Sequence, residues 1–246
     1  MIKYNNDLKI FYSSLINDDF YLSGFSTKGL GDGRKINTIF NFFQKNKFYF
    51  KKIVVLEQIH STNINFFNSK TNAILEKVSD TDGVITKDKE TVLIVRNADC
   101  LPLIFVEKKS GIIGISHQGW RGSIKRMAQK MVNKMVNIGA KKEKIIVAFG
   151  PTIGSCCYNI DENRYYEFQE EFYGYSNKVF SYRGGKIFFN LIFLNYLQLI
   201  EEGLEKKNID FFPFCTQCDK KRFFSFRRQK KEKENYGEMF NFILRN

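Results

Sequence analysis

Two histidines are all that this 246-residue chain contains, and each lies in a short polar or glycine-rich stretch. His60 follows Gln58-Ile59, and His117 opens the run His117-Gln118-Gly119-Trp120-Arg121-Gly122. Between them in sequence stands Cys100, in Asn97-Ala98-Asp99-Cys100. Two imidazoles and a thiol are the nitrogen and sulfur donors that zinc takes, and three protein ligands leave a fourth position open for water or substrate. Cys100 beside His117 has a second possible chemistry, a nucleophile paired with a base. A cysteine taken alone is a small buried hydrophobe, and a lone His60 is a polar residue at a strand end. The residues by themselves leave these readings open.

Such residues need a frame. Short apolar, β-branched runs predict strands at Ile53-Val54-Val55-Leu56, Val84-Ile85-Thr86, Val92-Leu93-Ile94-Val95, Leu103-Ile104-Phe105-Val106, Ile112-Ile113-Gly114-Ile115 and Ile145-Ile146-Val147-Ala148-Phe149. From Ser123 to Ile138 the residues Ile124, Met127, Ala128, Met131, Val132, Met135 and Val136 recur at helical spacing, with Lys125, Lys130 and Lys134 outside and Gly139 suited to the C-terminal cap. Further helices are predicted over Asp161 to Phe172 and Asn190 to Lys207. Strand pairs mixed with three helices predict an α/β or α+β layered sandwich. No proline- or serine-rich linker, repeat or low-complexity stretch divides the chain, so one domain over residues 1–246 is expected.

The chemistry falls where these elements end. Asp99-Cys100-Leu101-Pro102 lies between two predicted strands, which puts Cys100 at a turn. His117 follows the strand ending at Ile115-Ser116, and Gly119 and Gly122 flank Trp120-Arg121 before a helix expected to open at Ser123 as its N-cap. Glycines permit close backbone approach, and a helix N-terminus with Arg121 favours an anion, so a phosphate-binding corner beside an imidazole is expected.

Composition limits the remaining classes. At 43% hydrophobic the chain can bury a substantial core. No run approaches the roughly 18 apolar residues that span a bilayer, and Met1-Ile2-Lys3-Tyr4-Asn5-Asn6-Asp7 lacks the pattern of a signal peptide. A cytoplasmic location without membrane association is expected, and five cysteines suit a reducing compartment. The net charge of +13 raises a nucleic-acid-binding alternative. The lysines are mostly dispersed, however. One dense patch runs from Asp219-Lys220-Lys221-Arg222 to Lys230-Lys231-Glu232-Lys233, interrupted by Phe223-Phe224-Ser225-Phe226, whose alternation predicts a strand.

Six motifs occur in an order that resembles the YfiH/LACC1 family, formerly described as multicopper polyphenol oxidases. They are Gln58-Ile59-His60, Asp80-Thr81-Asp82-Gly83, Ala98-Asp99-Cys100-Leu101-Pro102, the run from His117 to Gly122, Gly150-Pro151-Thr152-Ile153-Gly154-Ser155-Cys156-Cys157-Tyr158, and Phe223-Phe224-Ser225-Phe226-Arg227-Arg228. The resemblance runs from about Gly24 to Met239. It implies an α/β/β/α sandwich related to cysteine hydrolases, with zinc held by His60, Cys100 and His117. It also implies phosphorolysis of adenosine, inosine, guanosine and 5'-methylthioadenosine to free base and pentose 1-phosphate, with adenosine deaminase activity besides.

Purine nucleosides and phosphate are thus the expected partners, and nucleic acid is not. Arg121, Arg227 and Arg228 are candidate anion contacts by charge and motif position. Asp82 and Asp99 are candidates for orienting a histidine or holding a substrate hydroxyl, beside a plain role as turn residues. Cys156-Cys157 is expected to serve packing, and the lone Cys215-Thr216-Gln217-Cys218 is a weak zinc or redox signal. Ser61, Gln118, Asn97 and Glu238 depart from the family pattern, Glu238 by reversing a charge. The rival enzyme readings are a copper-dependent polyphenol oxidase and a cysteine hydrolase. Two histidines are too few for a multicopper cluster of the blue-oxidase type.

Overall fold

The computed structural model describes residues 1–233 and 235–246. Two large sheets form its centre. The first has seven strands in the spatial order Ile2–Asn5, Ile10–Ser13, Tyr21–Ser26, Met239–Arg245, Thr91–Asn97, Lys52–Leu56 and Leu75–Val78. The second has six, in the order Ile209–Asp210, Ile146–Phe149, Leu101–Glu107, Ile112–Gln118, Gly83–Thr86 and Ile64–Phe67. A small three-stranded sheet of Asn159–Ile160, Lys186–Phe189 and Phe180–Arg183 pairs with neither but packs into the core beneath the second.

The apolar strands are buried on both faces, and the two-residue period of a strand divides their side chains between layers. Val54, Leu56, Leu93 and Val95 of the first sheet meet Ile104, Val106, Ile113 and Ile115 of the second in one core. Their neighbours Ile53, Val55, Val92 and Ile94 face the opposite way, onto Ile39, Phe42 and Phe43 of the helix Ile36–Lys45. On the far side, Leu103, Phe105 and Ile112 pack under Met127, Met131 and Met135 of the helix Met127–Asn137 and under Leu194 and Leu199 of Leu191–Glu201. The result is the expected α/β/β/α sandwich. Gly114 lets the outer helix approach closely: a Cβ there would stand 3.1 Å from Met131 Cε.

Four expectations need correction. The helix expected from Ser123 begins earlier, as Trp120–Ile124 with Gly119 as N-cap, and breaks at Arg126, which takes a left-handed φ of 59°. Ser123 is therefore a buried residue inside a short helix, its hydroxyl accepting from Asn195 Nδ2 at 2.9 Å. Phe223 to Phe226 is not a strand. Ser225 caps the helix Phe226–Glu232, accepting from the Arg228 amide at 3.2 Å, and this local bond overrides the alternation. The helix predicted over Asn190 to Lys207 stops at Glu201, and Gly203, at φ 93°, turns the chain away. His117 lies within its strand, which extends to Gln118. Among the described residues no helix is long and apolar enough to cross a membrane.

Candidate functional site

Strand register assembles the site. Ile112–Gln118 pairs on one side with Leu101–Glu107, setting His117 opposite Pro102 and Gln118 opposite Leu101, so Cys100 falls beside the imidazole. On its other side it pairs with Gly83–Thr86, setting Ser116 opposite Gly83, so Asp82 arrives next to His117. His60 comes from the loop after Lys52–Leu56 of the other sheet. The three donors meet at one end of the sandwich, where both sheets terminate.

Asp82 organises this corner. Its fully buried carboxylate accepts from His117 Nδ1 at 2.9 Å and from the amides of Ile59, His60 and Ser61 at 3.2, 3.1 and 2.6 Å. The Ser61 hydroxyl adds a bond at 2.8 Å, so the serine that departs from the family pattern strengthens this anchor. His60 sits at φ 60°, a strained backbone that those amide bonds hold. With Nδ1 bonded to Asp82, the other nitrogen of His117 is left for the centre.

The donor set fits a metal ion. Single ligand atoms of His60, Cys100 and His117 all lie within 4.8 Å of one another, with Cys100 Sγ 3.9 Å from His60 Nε2. Gly119 makes room, since a Cβ there would come within 2.8 Å of His60 Cδ2. Burial opposes ionisation of Cys100, yet His117 and His60 outweigh it and hold the thiol below its ordinary range. Burial likewise opposes charging of His117, but Cys100 and Asp82 hold it protonated well above the usual imidazole value. A thiolate beside an imidazolium is a site where a soft divalent cation can replace a proton.

The corner opens on a cavity of about 400 Å³. Asp99, at φ 84°, holds its mouth together: its carboxylate accepts from Thr216 Oγ1 at 2.6 Å, Ser225 Oγ at 2.9 Å and the Arg227 amide at 2.7 Å. The wall combines the rings of Trp120, Tyr158 and Phe226 with the cations Arg121, Arg164, Arg227 and Lys230. The guanidiniums of Arg121 and Arg164 lie 4.4 and 4.5 Å from the Trp120 ring centroid. Among the described residues Asp99 is the one acidic residue on this wall, and its oxygens are already engaged. The cavity is therefore electropositive.

Of the expected anion contacts, Arg121 and Arg227 line the cavity and Arg228 does not. Arg228 is buried and donates to the carbonyls of Thr216, Gln217 and Phe223 at 2.9, 3.0 and 2.6 Å, which makes it a tie for its own loop. Glu238 also lies off the cavity wall, accepting from Tyr236 Oη at 2.6 Å. Asn97 donates to the carbonyls of Cys100 and Pro151, both at 2.6 Å, and so braces the turn. In the basic patch, Lys220 pairs with Glu232 and Arg222 with Asp219. Arg164 is a cavity residue that local sequence does not mark, whereas Tyr158 and Phe226 fall within the motifs and Lys230 within the basic patch without being singled out for the site. Arg164 lies on a largely polar helix, and only the docking of Glu162–Glu171 brings it to Trp120. Cys157 packs against the core as expected, and both Cys156 and Cys157 also meet Cys215 and Cys218 in a second cluster of donors.

A layered α+β sandwich with a His-Cys-His corner where its sheets end defines a recognisable class of protein. A family model described as multi-copper polyphenol oxidoreductase laccase matches residues 35–246, and the chain belongs to that family. A Borreliella burgdorferi protein named purine nucleoside phosphorylase is 32% identical over 202 residues, 82% of each chain. A protein of an unknown prokaryotic organism named adenosine deaminase RL5 is 29% identical over 185 residues, 72% of this chain and 70% of that one. Among solved structures, the Bacillus licheniformis hypothetical protein YfiH superposes with a TM-score of 0.82 at 25% identity, covering 92% of this chain and 93% of its own.

Proposed function

We propose that this chain is a zinc-dependent purine nucleoside phosphorylase, converting adenosine, inosine, guanosine or 5'-methylthioadenosine and phosphate to free base and pentose 1-phosphate, with adenosine deamination as a second activity. The observation that carries the reading is a three-donor corner opening on a cavity with aromatic walls and four cationic side chains. His60, Cys100 and His117 would hold the metal, which supplies Lewis acidity and a lowered pKa for water at the cavity floor.

The remaining work falls to the chain's own groups. Arg121, Arg164, Arg227 and Lys230 attract phosphate and orient it. Among the described residues, Arg164 Nε is buried with no hydrogen-bond partner, a donor suited to a phosphate oxygen. The Trp120, Tyr158 and Phe226 rings offer flat apolar surface to a purine, while Ala98, Ile153 and Leu191 exclude water. In phosphorolysis a phosphate oxygen bonds to the anomeric carbon as the glycosidic C–N bond breaks, and the base leaves with the electron pair and takes up a proton. Deamination instead adds the oxygen of water at C6 and releases ammonia.

The names of the relatives support this reading, and five free thiols suit a cytoplasmic compartment. The test is to incubate metal-analysed protein with inosine or adenosine, with and without phosphate, and to measure free base and ribose 1-phosphate. Phosphate-dependent release of base by zinc-loaded protein is expected. Absence of turnover, or full turnover by Cys100→Ala, refutes it.

A further inference from the structure

Four of the five cysteines form a second cluster that the proposed reaction does not use. Cys156 and Cys157 follow the glycine-containing segment 150–154, and Cys215 and Cys218 come from the segment leading to the helix Phe226–Glu232. All four sulfurs lie within 4.8 Å of one another, with Cys157 to Cys218 at 3.3 Å and Cys156 to Cys218 at 3.6 Å. A zinc ion with four thiolates at about 2.3 Å sets its sulfurs about 3.8 Å apart at the edges of a tetrahedron. The two separations to Cys218 fall within about 0.5 Å of that value, and the 4.8 Å limit on the rest leaves room for it. We propose that Cys156, Cys157, Cys215 and Cys218 bind one zinc ion as a closed, structural tetrathiolate site, separate from the His60, Cys100 and His117 corner.

Independent features point the same way. The Gly154 amide donates to Cys215 Sγ at 3.1 Å. An amide aimed at a sulfur favours a thiolate, because a neutral thiol accepts only weakly. Gly154 allows the two segments to close: a Cβ there would stand 3.1 Å from Cys215 Cβ and 3.2 Å from Cys156 Sγ. Neighbouring side chains among themselves make poor joint ligands on an extended chain, but the turn at 155–157 sends both sulfurs of Cys156 and Cys157 to one place. Zinc with four thiolates carries two net negative charges. Arg183 donates to the Ser155 carbonyl at 2.5 Å, which places one cation beside the turn that carries Cys156 and Cys157. One disulfide would engage only two of the sulfurs, whereas Cys218 touches both Cys156 and Cys157.

The consequence is mechanical. Thr152 and Cys215 form a parallel bridge, and the Thr216 amide donates to the Thr152 carbonyl at 3.0 Å. An ion beside that bridge staples the segment carrying Ile153 and Tyr158 to the one carrying Phe226 and Arg227, all four of which line the cavity.

Metal content per chain separates this site from the first. About two zinc equivalents are expected in native protein, about one in Cys100→Ala and about one in Cys218→Ser. Cobalt substitution of Cys100→Ala leaves the cluster untouched, so it reads the site even if Cys218→Ser fails to fold. Intense thiolate-to-cobalt charge transfer with tetrahedral d–d bands is the expected spectrum. Metal-free Cys100→Ala, a cobalt spectrum without those bands, or a disulfide among these four cysteines in freshly purified, metal-loaded protein overturns the proposal.

Discussion

Asp82→Asn is the perturbation that most directly tests how the proposed metal corner is built. The carboxylate oxygens divide their partners: Oδ1 accepts from the His60 amide and His117 Nδ1, and Oδ2 from the amides of Ile59 and Ser61 and the Ser61 hydroxyl. Asparagine keeps the volume but must turn an NH2 toward one of these groups. Facing the Oδ2 side, it confronts two amide N–H donors. Facing the Oδ1 side, it confronts the His60 amide and donates to His117 Nδ1, driving the ring proton onto the nitrogen needed for ligation. Each charge-assisted bond lost costs about 1.5–3 kcal/mol, so a stability loss of roughly 3 kcal/mol is expected. Loss of the group orienting a metal-binding histidine lowers zinc affinity about 10–100-fold. Ser61→Ala removes one hydroxyl bond and should cost only about 1 kcal/mol, calibrating the comparison. Burial pushes the Asp82 carboxyl up, but His117 and Ser61 outweigh it and hold it down to about 2. Its stabilisation is therefore complete above the ordinary carboxyl value of 3.8 and is lost as pH falls through about 2. Chelator competition measures the affinity and denaturant titration the stability. Native zinc affinity in Asp82→Asn would refute the account.

Other outcomes follow from single contacts. Gly119→Ala places a Cβ 2.8 Å from His60 Cδ2, so zinc affinity and turnover should fall at least tenfold, read by metal analysis and rate. Arg228→Ala leaves three loop carbonyls without their donor and should destabilise by about 3–5 kcal/mol in urea. Arg164→Ala should raise the KM for phosphate about tenfold with a smaller change in the KM for nucleoside, because one charge-assisted phosphate bond is lost. Equal increases in both constants would place Arg164 outside the phosphate site.

The core strands were legible because they are buried on both faces. Runs such as Val92 to Val95 and Leu103 to Val106 are short and rich in β-branched residues, which favours a covered strand over a buried helix. The strand Met239–Arg245 carries a comparable apolar run, yet its place between Tyr21–Ser26 and Thr91–Asn97 joins segments far apart in the chain and has no local signal. The misread Phe223 to Phe226 segment shows the opposite case, in which one serine cap decides the local conformation against a pattern.

Within the candidate site, the chemistry-bearing types were visible in the sequence: His60, Cys100 and His117 stand out by scarcity and by glycine and aspartate neighbours. Their convergence depends on which strands pair and in what register, and register is a property of the packed sheets. The roles of the arginines were decided the same way. Arg227 and Arg228 are adjacent in sequence, but a helix turns consecutive side chains about 100° apart, so one reaches the cavity and the other is buried among carbonyls. The gathering of four cysteines from two distant segments is likewise invisible to spacing, since folding alone brings sulfurs so far apart in the chain within a coordination sphere. Residue identity determined which chemistry this protein can perform; the tertiary structure decided which of those residues meet, because reach between side chains is set by pairing and packing rather than by distance along the chain.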